Sequence, residues 1–139
     1  MTTSGQNNPL RELMFVVAIL LFLRCNAILG SPDTDIVFII CHRDRTGEGS
    51  TYDDAVGEVI TKLIRGTFEA DGVLYSMATV ETSVCYGRGI CSLHMDRTDC
   101  KNCLRTADTL IQEHCPLTMG ATLKLVDCSL RFETYPFND

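Results

Sequence analysis

Eight cysteines in a chain of 139 residues limit the possible folds more than any other feature. So many thiols do not persist in a reduced cytosolic protein without a metal, whereas an oxidising compartment pairs them and staples a small core. One of them, Cys25, sits in an N-terminal segment unlike the rest. Cys41, Cys85, Cys91, Cys100, Cys103, Cys115 and Cys128 remain, an odd set. One thiol therefore stays free or pairs with a second molecule.

The unlike segment is an uninterrupted apolar run from Leu13 to Leu23. As a helix it spans about 16 Å, roughly half of a bilayer's hydrocarbon core, so it does not cross one comfortably. It reads instead as a secretory signal peptide, with small Cys25 and Ala27 where signal peptidase prefers them and Gly30, Ser31 and Pro32 following. The expected organisation is a signal peptide over 1–27 and one domain over 28–139, secreted to the extracellular space, with no stable membrane insertion. Formal net charge is −6, and −7 once Arg11, Arg24 and Glu12 are gone. That balance argues against nucleic acid, which needs a concentrated basic surface.

Periodicity places the elements. Asp35 to Cys41 is a β-branched and aromatic run that favours a strand. From Thr51 the period becomes helical, with Val56, Val59, Ile60, Leu63 and Thr67 on one stripe and Asp53 and Asp54 near the start. Val73–Val80 and Ser83–Cys91 read as two antiparallel strands, in which Gly87 and Gly89 mark a bulge or the close approach of another group. Thr98 or Asp99 is the expected N-cap of a second helix that Pro116 closes. Ala121 to Glu133 reads as a long β stretch whose alternation slips near Leu125 and Val126, as at a bulge or bend.

On the second helix, Cys100, Cys103, Leu104, Ala107, Leu110, Ile111, His114 and Cys115 fall within about 140°. His114 is expected to pack its ring there. A bond between Cys100 and Cys103 would tie the helix only to itself, so outward pairing restrains more chain. Six cysteines still allow fifteen pairings, among which spacing does not choose. A zinc site is excluded by geometry, because Cys100 and Cys115 lie about 22 Å apart along one helix. A redox reading of Cys100-Lys101-Asn102-Cys103 fails because no parallel β-α-β order precedes it. No cofactor is implied, and no GxSxG, HExxH or carboxylate dyad supplies catalytic machinery. The chain does not read as an enzyme.

Three strings carry a resemblance: YGRGIC at Tyr86 to Cys91, DCKNCL at Asp99 to Leu104, and GATLKLVDC at Gly120 to Cys128. They resemble the plant cysteine-rich stress-antifungal, or ginkbilobin-like, family over essentially Cys41 to Phe137. The resemblance implies an α+β fold, two helices packed on a five-stranded antiparallel sheet, held by three disulfides. The pairing it implies is Cys41 to Cys115, Cys91 to Cys100 and Cys103 to Cys128. Cys85 has no counterpart there and is expected either as a buried free thiol or as the link of a homodimer.

Members of that family bind mannose through an Asn after the first framework cysteine, an Arg near the VDC strand and a Glu beyond it. Those positions hold His42, Thr122 and Glu133 here. Replacing a planar, multiply donating Arg by Thr leaves one hydroxyl on a short arm. The resemblance therefore implies a secreted antifungal defence protein with an altered lectin site for mannose-containing glycans of fungal surfaces. The alternative is a non-lectin extracellular interaction module that partners receptor-like proteins.

Overall fold

The computed structural model describes residues 8–28 and 31–138. Residues 1–7, 29, 30 and 139, among them the Gly30 that follows the expected cleavage site, lie outside the described residues. The chain divides into two units, Met1–Ser31 and Pro32–Asp139.

In the first unit, α1 (Pro9–Ile28) opens on a proline, whose fixed φ suits a first helical turn, and carries Glu12 in that turn. The expected count of two helices is thus corrected to three. An apolar run without internal Gly or Pro is itself a good helix former, and the expectation had counted only the residues beyond 27. Among the described residues no helix is long and apolar enough to cross a membrane.

In the second unit the elements run β1 (Ile36–Cys41), α2 (Thr51–Gly66), β2 (Val73–Val80), β3 (Ser83–Cys91), α3 (Arg97–His114), β4 (Ala121–Leu125) and β5 (Cys128–Glu133). The five strands form one antiparallel sheet in the order β1-β4-β5-β3-β2. Ser50 starts α2 by accepting the Asp53 N–H at 3.2 Å. Asp96, not Thr98 or Asp99, caps α3, its carboxylate accepting the Asp99 N–H at 2.8 Å. Three candidate caps compete within four residues, and the earliest one leaves Thr98 and Asp99 inside the first turn.

Both helices cover one face of the sheet, α2 over β2 and β3, α3 mainly over β4 and β5. Between them lie Val59, Leu63, Leu104, Leu123, Leu125 and Leu130, all fully buried. Close packing requires Gly87 and Gly89 on β3. A Cβ at Gly87 would collide with Val59 and press on Leu63, and one at Gly89 would come within 2.5 Å of the Thr67 hydroxyl. Close approach, not a bulge, explains these two glycines, because β2 and β3 pair in unbroken register. Thr67 can be fully buried because its hydroxyl donates to the Leu63 carbonyl at 2.7 Å. The long β stretch proves to be a hairpin, with Val126 and Asp127 as its two-residue turn.

Three disulfides lock this layer: Cys41–Cys115, Cys91–Cys100 and Cys103–Cys128. Cys91 and Cys128 face each other across β3 and β5, so two neighbouring strand ends both hold the first turns of α3. The third bond joins the residue that ends α3 to the last residue of β1. His114 is exposed, contrary to the packed position expected. It is the last helical residue, and its ring stays out although Ile111 and Cys115 on the same stripe are buried.

Candidate functional site

Register brings the three sequence-predicted residues together. Thr122 on β4 faces Ile40 on β1 and Arg131 on β5, and the His42 N–H donates to the Gly120 carbonyl at 2.8 Å just beyond that ladder. Arg131 and Glu133 are two apart on β5 and therefore share a face. His42, Thr122 and Glu133 line one depression of about 400 Å³ together with Arg43, Asp44 and Gly120. Thr122 and Glu133 lie on the side of the sheet away from the helices, since Phe132 between Arg131 and Glu133 is buried against them.

Glu133 is buried, although it carries a carboxylate at a strand end. Its Oε1 accepts from Arg131 Nε at 3.3 Å. Arg131 in turn lies over the Phe137 ring, with Cζ 4.1 Å from the ring centroid, which holds the guanidinium in place. The other carboxylate oxygen, Oε2, occupies the space a side chain at position 120 would need. Gly120 is therefore a condition for Glu133 facing this depression.

His42 accepts the Asp44 N–H on Nδ1 at 3.3 Å. In the neutral ring this leaves Nε2–H as a donor for a ligand. The depression thus offers a carboxylate acceptor, an imidazole donor, the Thr122 hydroxyl and the exposed Arg43 guanidinium. Adjacent hydroxyls of a sugar are bound by just such a mixture of charged acceptors and donors. Sequence reasoning missed Arg43, Asp44 and Gly120 as part of the site, because the resemblance carried over only the positions of His42, Thr122 and Glu133. A basic residue two places after the first framework cysteine was the available signal for Arg43; the role of Gly120 depends on a cross-strand neighbour that spacing does not reveal.

Cys85 is free and fully buried on β3. Burial pushes its thiol from an ordinary 9.0 up to about 11, against the lowering effect of a hydrogen bond with Tyr52; Glu133 adds a smaller upward push. Burial raises the Tyr52 hydroxyl as well, and that hydroxyl donates to the Met119 carbonyl at 2.6 Å. A sulfur with no exposure has no path to a second chain while the domain is folded, which favours the free-thiol alternative over a covalent dimer. Among the described residues, no group of three His, Cys, Asp or Glu side chains converges as a metal site.

The sequence profile of the salt stress response/antifungal family matches residues 40–135. The chain belongs to that family. The match spans all six bridged cysteines and His42, Thr122 and Glu133. An antifungal ginkbilobin-like protein 1 of Picea sitchensis is 28% identical over 109 residues, covering 76% of this chain and 81% of that protein. The fold is shared with the tandem DUF26 ectodomains of two cysteine-rich receptor-like proteins of Arabidopsis thaliana, PDLP5 (TM-score 0.67, 16% identity, 74% of this chain) and PDLP8 (TM-score 0.69, 20% identity, 76% of this chain). This chain spans about half the length of either solved ectodomain, 51% in each.

Proposed function

We propose that this protein is an exported, defence-related module that binds mannose-containing glycans of fungal surfaces at the depression formed by His42, Thr122 and Glu133. The observation that carries the reading is the convergence of those residues around a carboxylate whose orientation is fixed from two sides, by Arg131 and by the missing side chain of Gly120. Arg43 lines the same depression as Thr122, which stands where the family has its own arginine. The antifungal names of its relatives support the defence role, and three disulfides in a small domain support export. The reading includes a signal peptide over 1–27, so protein recovered from apoplastic fluid is expected to begin at Ile28 on N-terminal sequencing.

The test is binding to immobilised mannan and to a glycan array. Glu133→Gln keeps the shape and removes the charge, and Gly120→Ala displaces the carboxylate without touching it. Each is expected to weaken mannan binding tenfold or more, since a charge-assisted hydrogen bond contributes about 1.5–3 kcal/mol. Absence of binding to every glycan would rule out the lectin. The second reading, a non-lectin extracellular module that partners receptor-like proteins, would then stand. The exchange of the family's Asn and Arg for His42 and Thr122 favours it.

A further inference from the structure

A second concavity lies on the opposite side of the sheet, in the furrow between α2 and α3, with a volume of about 580 Å³. Its floor is apolar. Val56, Ile60 and Ile64 recur every four residues along α2, Ile111 faces them from α3, and Phe132 of β5 closes the bottom. Three such positions extend about 12 Å along a helix, so the floor is a strip and not a point. Gly57 leaves the furrow open, because a Cβ there would meet nothing within 4 Å.

The rim is of one sign. Among the described residues the charged side chains lining the furrow are Glu48, Asp53 and Asp108, and the neighbouring Arg45 guanidinium is engaged, donating to the Pro116 carbonyl at 2.6 Å. Asp53 is engaged by the Gly49 N–H at 3.0 Å, and Glu48 is exposed in the loop before α2. Asp108 stands half-buried in the middle of α3 with Gln112 as its hydrogen-bond partner, and burial raises its carboxyl above the ordinary value. A carboxylate held partly out of water without a facing cation is a group whose charged form a cationic ligand would stabilise.

From the apolar strip and its uniformly acidic rim we infer that the furrow is a docking site for a basic, amphipathic peptide segment of a partner protein. Apolar anchors spaced three or four residues apart would lie along Val56, Ile60 and Ile64, while flanking lysines or arginines would meet Asp108 and Glu48. This is the helix-in-groove mode of peptide recognition. Charge complementarity selects this occupant. A neutral apolar segment would leave Asp108 unpaired, and an acidic one would face like charge from both walls. The site is independent of the sugar depression, which lies across the sheet.

The probe is a fluorescein-labelled 14-residue peptide with leucines at helical spacing and lysines elsewhere, titrated with the disulfide-bonded full chain and followed by fluorescence anisotropy. Saturable binding is expected, weakening at least tenfold between about 20 and 200 mM salt. Asp108→Asn is expected to weaken it several-fold. Gly57→Leu should abolish it by filling the furrow while preserving the fold, since leucine favours a helix more than glycine does; an unchanged or higher melting temperature checks that. The same peptide with glutamate in place of lysine should not bind. Failure of the lysine peptide to saturate, equal binding of the glutamate peptide, or wild-type affinity in both variants would overturn the assignment. Mannan binding should be unaffected by Gly57→Leu, so the outcome is separable from that of the lectin test.

Discussion

Cys85 and Tyr52 are neighbours whose protons the fold holds more tightly than an unfolded chain would. The sign of the resulting pH dependence follows from this. A thiol whose folded pKa is raised contributes stability fully below its ordinary value of 9.0, and that contribution is lost as pH climbs towards about 11. Above 9 the unfolded state releases the proton and the folded state does not, so stability falls with a slope of at most about 1.4 kcal/mol per pH unit for this one group. Tyr52 extends the loss to still higher pH. Urea denaturation at pH 8, 9, 10 and 11 is expected to show the decline, and Cys85→Ala should flatten it between 9 and 11 even if the smaller side chain lowers stability overall. An unchanged slope in the variant would assign the alkaline transition to other groups. At this scale the odd count of cysteines showed that one thiol is left over, and the family resemblance, in which position 85 has no cysteine, implied which one. The sequence left open whether that thiol is buried or links two chains, a choice that the full burial of Cys85 on β3 weighs towards the free thiol.

Each helix of the second unit begins at a side chain that accepts an N–H of its first turn, and these contacts are local enough to be tested singly. Asp96→Ala is expected to cost about 1 kcal/mol, within the 0.5–2 typical of capping losses. The same change at Ser50 should cost a similar amount. Denaturant midpoints check both, and a neutral result at Asp96 would mean that Thr98 or Asp99 takes over the cap. The two helices were readable in the sequence because their buried positions recur at the helical period over many residues, and the β2–β3 pair because two β-favouring runs lie close together in the chain. The β4–β5 turn was harder. Leu125 and Val126 continue a β-favouring composition straight through the turn, so the phase slip read as a bulge or bend in one strand and not as a hairpin. His114 misled for the opposite reason: its angular position on the helix lies within the apolar stripe, yet its ring is exposed while Ile111 and Cys115 of the same stripe are buried.

The second unit as a whole is organised about α3, whose two ends are fixed to different parts of the sheet. Cys91–Cys100 and Cys103–Cys128 hold its beginning to the centre, where β3 and β5 pair. Cys41–Cys115 holds its end to β1, the edge strand that would otherwise be joined to the rest through β4 alone. That last bond closes a separation of 74 residues, against 9 and 25 for the others, so it restrains the unfolded chain most. Chain-entropy reasoning puts its contribution at up to about 4.5 kcal/mol, compared with about 2.6 for the shortest loop. The same bond also shapes the sugar depression, since Cys41 lines it and His42 follows immediately. Replacing Cys41 and Cys115 together by alanine is therefore expected to lower unfolding stability by several kcal/mol in urea titration and, in whatever fraction remains folded, to weaken mannan binding. Replacing Cys91 and Cys100 should destabilise less and leave mannan binding near wild type, because neither lines the depression. Equal effects of the two removals on binding would show that the crosslinks act on the domain only through its global stability, with no separate role for Cys41 in holding β1 and His42 at the rim.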